Sequence, residues 1–470
     1  MNRRLLPLAM ATALLSACSS MAPPYQQPAA PVPTSWPQGT AYAPTSEGSA
    51  ADIPWQSFVM DERLRQVIAQ ALANSRDLRE TVASIESARA QYQSQRAASV
   101  PTVNAGVSGT KSRSTTSDGN GGLTTVRSQS TSAELSISSY ELDLFGKVRS
   151  QTNAALETYL KSEEASRATR ISLIAETINA WMTLGSDRSL LAIARQTQES
   201  SQRSMDVARK RLELGVTSRV DLRQAETVYQ QARADVASSL TQIAQDRNAL
   251  ELLTGSPVAD ALLPDDLPES AVVLADVPAG LSSDVLLQRP DVLEAEHQLK
   301  SANANIGAAR AAFFPSLTLT ASGGLSSAAL AGLFSGGAAG VWSLAPSLSV
   351  PIFDGGANRA NLAYYEAQQK YYLSAYELAI QTAFKEVADA LAQRGTMAEQ
   401  LAAQAALVEA SSDSYKLADA RYRSGVDTFL NSLDSQRTLY SAQKTLTSLR
   451  LTALENRVTL YRVLGGGIAG

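Results

Sequence analysis

The sequence is poor in the residues that do chemistry. Its 470 residues hold one cysteine and one histidine. The lone cysteine, Cys18, excludes an intrachain disulfide and a cysteine-built metal cluster. The lone histidine, His297, excludes the HExxH zinc motif and every multi-histidine site. It stands among Glu294, Glu296 and Gln298 in a helical stretch, where it reads as a solvated side chain. No GxxxxGKS/T phosphate loop is present. Nor is there a basic excess. The 41 Lys+Arg stand against 45 Asp+Glu, a net charge of -4, so the electrostatic footprint of a nucleic-acid binder is missing. Charged residues make up 18%, below the roughly 25% of a typical soluble domain. No uncharged apolar run reaches the ~18 residues of a membrane-spanning helix. These absences argue against an enzyme and against a resident cofactor.

What is present begins with an address. Residues 1–17 read as a signal peptide. Arg3 and Arg4 form a basic start, and Leu5 to Leu15 form an apolar stretch too short to span a bilayer. Leu15-Ser16-Ala17-Cys18 resembles the cleavage box of bacterial lipoproteins, in which a thiol carries the lipid and small residues admit the peptidase. Cys18 is the expected site of lipid attachment, and Ser19 in place of Asp implies sorting to the outer membrane. An acyl anchor holds a protein on a membrane without making it span one. Residues 18–61 carry Pro23, Pro24, Pro28, Pro31, Pro33 and Pro37 and predict an extended tether from lipid to body.

The body is written twice. Arg211, Gly215 and Val216 recur as Arg421, Gly425 and Val426, and Gly146, Glu176, Gly185 and Gly255 recur as Gly356, Glu386, Gly395 and Gly465, all at one spacing. Upstream, Asp77, Arg96 and Pro101 recur as Asp291, Arg310 and Pro315 at a spacing four residues longer. The length change falls between 102–145 and 316–355. The repeats are therefore 62–255 and 282–467, joined by the proline-rich segment 256–281, which suggests a small belt outside the helices.

Each repeat opens with helix. Residues 62–99 lack Pro and Gly and are rich in helix formers, and Pro101 and Pro315 end the helical stretches. Period-two alternation follows. Val103, Ala105 and Val107 face one way, as do Leu317, Leu319 and Ala321 in the second copy. Gly/Ser-rich loops are expected at 109–128 and 323–340. Alternation then resumes at Ala133, Leu135 and Ile137, slips phase at Ser138-Ser139 as a β-bulge would, and continues at Tyr140, Leu142 and Leu144. The second copy gives Trp342, Leu344, Leu348 and Val350. Hairpins 102–145 and 316–355 thus supply four strands, apolar on one face and small and polar on the other, the pattern of a transmembrane β-barrel. Four strands cannot close a barrel, and open edges are not tolerated in lipid. Two chains would give eight strands and a filled interior, and three would give twelve and a lumen; strand arithmetic leaves both open.

Long helices follow. Residues 147–214 predict one helix of about 100 Å at ~1.5 Å per residue. Residues 218–252 predict a shorter one, which with 62–99 matches the long one if the two stack end to end. Ser218 and Asp427 stand where helix caps belong. Gly185 and Gly395 are candidate bends, or packing glycines.

The cleavage box, YELDLFGKVRS at 140–150, QRPDVLEAEHQL at 288–299, ANIGAARAAFFPSLTL at 304–319 and LGGG at 464–467 together resemble the outer-membrane factors of tripartite efflux pumps, the TolC-like channels. The resemblance covers nearly the whole chain. It implies an α+β membrane protein: a homotrimer with a twelve-stranded β-barrel, four strands per chain, continuous with a long periplasmic α-helical barrel. It also implies a periplasmic adaptor protein and an inner-membrane RND drug/proton antiporter as partners. No cofactor is implied beyond the lipid on Cys18. The tips Gly215-Val216 and Gly425-Val426 turn the chain and, by resemblance, meet the adaptor. Leu430, Asp434 and Arg437 share one helical face by their spacing. The resemblance makes them, with Tyr422, a periplasmic gate; Asn431 and Asp427 depart from the family's second acidic ring and latch arginine. Two other readings remain: an exporter paired with an ATP-driven secretion system, and a structural envelope lipoprotein without a pore.

Overall fold

The computed structural model describes residues 20–42, 48, 50, 53–117, 119, 122–268, 273–278 and 282–467. The cleavage box and Cys18 lie outside the described residues. After a one-turn helix at Trp55–Phe58, the order is α1 (Glu62–Asn74), α2 (Arg76–Ala97), β1 (Val103–Ser117), β2 (Leu123–Leu142), α3 (Lys147–Glu213) and α4 (Arg219–Thr254), then α5 (Pro290–Ala311), β3 (Ser316–Ser327), β4 (Ala339–Ser349), α6 (Ala357–Arg423) and α7 (Phe429–Val463). Short 3-10 turns at Asp260–Leu262, Ser283–Gln288 and Leu330–Leu333 complete it. The chain divides into two compact units. One comprises 1–28, 85–162 and 295–376, and the other comprises 29–84, 163–294 and 377–470.

The first unit holds one antiparallel sheet in the order β1-β2-β3-β4. Its register builds apolar rows on one face. Val103–Ile137–Ala321–Leu344, Ala105–Leu135–Gly323–Trp342 and Val107–Ala133–Leu325–Gly340 run straight across the four strands. The intervening rows, such as Asn104–Ser136–Ser322–Ser343, are polar, and Ser108–Ser132 and Ser322–Ser343 are hydroxyl pairs at 2.9 Å. The phase slip lies where the alternation puts it. The register shifts between Ile137 and Tyr140, and Ser139 takes a positive φ of 57°. Among the described residues β1 and β4 each pair on one side alone, so the sheet has two unpaired edges.

The expected loop at 109–128 is largely strand. β1 and β2 stay paired out to Ser117 and Leu123. Serine and glycine composition suggested a loop, but the threonines and Val126 suit a pleated surface and the ladder satisfies the backbone. In the second repeat β3 likewise runs on to Ser327, and a 3-10 turn occupies part of 323–340.

The second unit is helical. Helix 62–99 is not continuous but breaks at Ser75, whose ψ of 134° is extended. The carbonyl of Asn74 would lie 2.5 Å from a Cβ on Gly255, so the end of α4 seats directly against this break. Ser75 corresponds to Arg289 in the second repeat, where Pro290 starts α5. Arg289 is buried and donates to the carbonyl of Val463 at 2.9 Å and to Asp291 and Glu386. Both long helices pass Gly185 and Gly395 without a break. Gly185 is a close-approach glycine, since a Cβ there would meet the carbonyl of Asp266 at 2.6 Å. The linker 256–281 packs on the helices through buried Val258, Leu263, Val273, Leu274 and Val277. Trp181 Nε1 donates to the carbonyl of Leu262 at 2.9 Å.

The described residues of the tether are held by the body. Within the first unit, Asn303 Nδ2 donates to the carbonyl of Pro23 and Tyr25 Oη to Glu296. Within the second, Trp36 is 3% exposed and stacks on Phe384, and Ser283 Oγ donates to the carbonyl of Pro33. His297 also departs from the solvated reading: its Nδ1 lies 2.6 Å from Glu157 Oε2, with most of the ring covered.

Candidate functional site: the helix tips

The two turns at the ends of α3 and α6 are built alike. Each helix ends in a Schellman motif. The N–H of Gly215 donates to Leu212 and that of Val216 to Arg211; the N–H of Gly425 donates to Tyr422 and that of Val426 to Arg421. The motif needs a left-handed residue, and the glycines supply φ of 73° and 80°. Val216 and Val426 are each 67% exposed. Apolar side chains held out on a rigid turn offer contact area at little ordering cost.

The helices that leave the turns start differently. Ser218 caps α4 in a capping box with Asp221. Burial would push the Asp221 carboxyl up, but the hydroxyls of Thr217 and Ser218 and the Ser218 N–H outweigh it and lower it. Asp427 is not the cap of α7, which is Thr428. It accepts instead from the Thr428 N–H at 2.8 Å, from Arg421 Nε at 3.1 Å and from Asn431, which together hold its carboxyl below the usual range. Arg211, its counterpart in the first repeat, donates instead to the carbonyl of Tyr422, so one residue repeated does different work.

Leu430, Asp434 and Arg437 lie on one exposed face of α7. The adjoining face, with Phe429, Leu433 and Gln436, is buried. Among the described residues, Asp434 and Arg437 form no ion pair with each other. Tyr422 is not with them. It is 4% exposed, in a core of Met205, Ala208, Ala225, Val228, Phe429 and Leu433, with its ring 5.2 Å from that of Phe429. As the last turn of α6 closes onto α7, the Tyr422 side chain points into the protomer and packs there, beside the helix that carries Leu430, Asp434 and Arg437.

One polar site escaped the sequence reading. Asp187 of α3 meets Asp246 of α4. Burial, then a hydrogen bond to Asp246 and its charge, push the Asp187 carboxyl up to about 7. Asp246 Oδ1 accepts from Gln242, and among the described residues its enclosed Oδ2 has no donor. The two residues are 59 positions apart and on different helices, which no local motif reports.

Residues 67–256 and 281–466 match the family described as outer membrane efflux protein. The chain is 46% identical over 470 residues to the probable efflux pump outer membrane protein TtgC of Pseudomonas putida, covering 99% of this chain and 96% of that one. A crystal structure of a membrane protein from Pseudomonas aeruginosa superposes with a TM-score of 0.87 at 43% identity, covering 95% of this chain and 100% of that chain. The open state of the Neisseria gonorrhoeae MtrE outer membrane channel gives a TM-score of 0.84 at 38% identity, covering 96% of this chain and 99% of that chain.

Proposed function

Because the chain belongs to the outer membrane efflux protein family, we propose that it is the exit channel of a tripartite RND-type efflux system. It is an efflux channel protein of the outer membrane and not an enzyme. Three copies join edge to edge, so that twelve strands close a barrel and the helices continue it into the periplasm. The lipid on Cys18 adds an anchor in the outer membrane. The chain conducts drugs and other small molecules passively, and the driving energy belongs to an inner-membrane RND drug/proton antiporter reached through a periplasmic adaptor.

The observation that carries this reading is the four-stranded sheet with one apolar face, one hydroxyl-lined face and two unpaired edges. A periplasmic spacer has no use for such a sheet, and lipid admits it only when the edges are closed. In the helical unit, Leu430, Asp434 and Arg437 form the periplasmic gate. In a three-fold assembly each becomes a ring of three; leucines seal by dewetting and carboxylates attract cations. Adaptor binding at Val216 and Val426 shifts the population toward an open state.

Mild crosslinking in cells followed by copurification tests the assignment. It should recover an adaptor and an RND antiporter. Recovery of an ATP-driven pump in their place would favour the secretion reading.

A further inference from the structure

We propose that Lys111, Arg113 and Arg127 form a binding surface for the phosphate groups of an outer-leaflet glycolipid. The inference rests on the barrel reading above and concerns the end of the β1–β2 hairpin that the channel function leaves unused.

Side chains in a strand alternate between faces. Val103, Ala105, Val107, Gly109, Lys111 and Arg113 therefore share one face of β1. Their partners Ile137, Leu135, Ala133, Thr131, Gln129 and Arg127 share that face on β2. The face that is apolar across all four strands thus turns cationic beyond the Gly109–Thr131 row. The other face of the same rows carries Thr110–Ser130, Ser112–Ser128 and Ser114–Val126 and no charge. A charge meant for the pore would sit there. The three cations are sorted to the lipid side.

Among the described residues they also lack ion-pair partners. Arg113 stands directly opposite Arg127, a like-charge pair that destabilises a ladder. All three cations are exposed, and among the described residues none forms an ion pair. The sole carboxylate in 103–133 is Asp118, outside the described residues. The repulsion calls for an external anion. A zwitterionic headgroup brings its own cation and leaves the pair uncompensated, whereas a phosphate monoester on a sugar is a net anion that the Arg fork grips bidentately.

The height is right for such an anion. Lys111 lies four residues past Val107, about 13 Å along the strand at ~3.3 Å per residue. At a tilt of about 40° this is about 10 Å above the last apolar row. Long cationic side chains reach back toward that boundary. The hairpin end lies away from the strand ends that join α2 and α3, so periplasmic helices put it at the outer leaflet.

The full chain in detergent micelles, titrated with bisphosphorylated lipid A and separately with its phosphate-free counterpart, tests this by native mass spectrometry. The intact protein should retain the phosphorylated lipid at least tenfold better. The triple variant Lys111→Gln, Arg113→Gln, Arg127→Gln should lose that preference yet still take up the phosphate-free lipid on its apolar band, and Lys111→Arg should keep it. Equal retention of both lipids by the intact protein, or a preference unchanged in the triple variant, overturns the proposal. Uptake of neither lipid would overturn the barrel reading and this surface with it. Arg113→Gln alone should raise the melting temperature in lipid-free detergent, since it removes the like-charge pair; a lowered one contradicts the claim that the pair is uncompensated.

Discussion

The guanidinium of Arg211 lies over the ring of Tyr422, 4.6 Å from its centroid, while Arg211 Nη1 donates to the carbonyl oxygen of the same tyrosine at 3.0 Å. Arg211 is in the last turn of α3 and Tyr422 in the last turn of α6, so one side chain ties the two tips together. That carbonyl, among the last of α6, already accepts from the Gly425 N–H, so Arg211 is its second donor, and a cation is favoured at a helix C-terminus.

Arg211→Ala removes both contacts. A charge-assisted hydrogen bond contributes about 1.5–3 kcal/mol, and a partly exposed cation–π contact about 0.5–1 kcal/mol. Hydrogen exchange across 205–230 and 415–435 should rise by at least tenfold while exchange in the sheet is unchanged. Tips that exchange as slowly as in the parent would show that Arg211 is not the tie.

The gate assignment is checked in planar bilayers. Leu430→Ala with Asp434→Ala should raise single-channel conductance severalfold, because the variant removes both the apolar constriction and the carboxylate ring. Tyr422→Phe should leave conductance as it is, since that side chain is buried and its hydroxyl has no hydrogen-bond partner. An unchanged conductance in the double variant removes Leu430 and Asp434 from the gate.

Val216 and Val426 are exposed on rigid turns, so their loss should cost association and not folding. Val216→Ser with Val426→Ser should lower adaptor crosslinking at least fivefold with the melting temperature within about 1 °C, as surface substitutions usually behave. Full crosslinking would mean that the adaptor docks elsewhere.

The Asp187–Asp246 pair makes stability depend on pH. The Asp187 carboxyl is raised from 3.8 to about 7, so between those values the folded chain holds a proton that the unfolded chain has lost. The stabilisation is present at low pH and is lost as pH rises through about 7. Asp187→Asn keeps a donor for Asp246 at every pH. Its melting temperature should exceed the parent's by a margin that grows from pH 4 to 7, reaches a few degrees, and then levels off. A margin that does not change with pH would rule out a shared proton.

The sheet was legible because period-two alternation survives in every strand, down to the phase slip at Ser138-Ser139. The tips were legible because glycine marks a left-handed turn. Other features were not, the Asp187–Asp246 pair among them. The break at Ser75 occurs in a stretch of good helix formers, and the close approach of Gly255 to Asn74 there is a contact between elements far apart in sequence. Its one signal was the aligned Arg289-Pro290 of the second repeat. The strand at 109–128 was hidden by its Gly/Ser composition, since pairing and not propensity builds it. His297 looked solvated, and the Tyr422 contact with Arg211 was hidden, because spacing along one helix reports no partner such as Glu157 or Arg211, which lie far away in sequence.

The central claim is that one chain supplies a third of a closed wall. Native mass spectrometry of the intact protein in mild detergent tests it most directly. A particle of three copies, stable to dilution and conducting when added to a bilayer, is the predicted result. A folded single copy that stays soluble without detergent and never conducts would contradict it, because a sheet with two open edges and an apolar face would then have no lipid to enter.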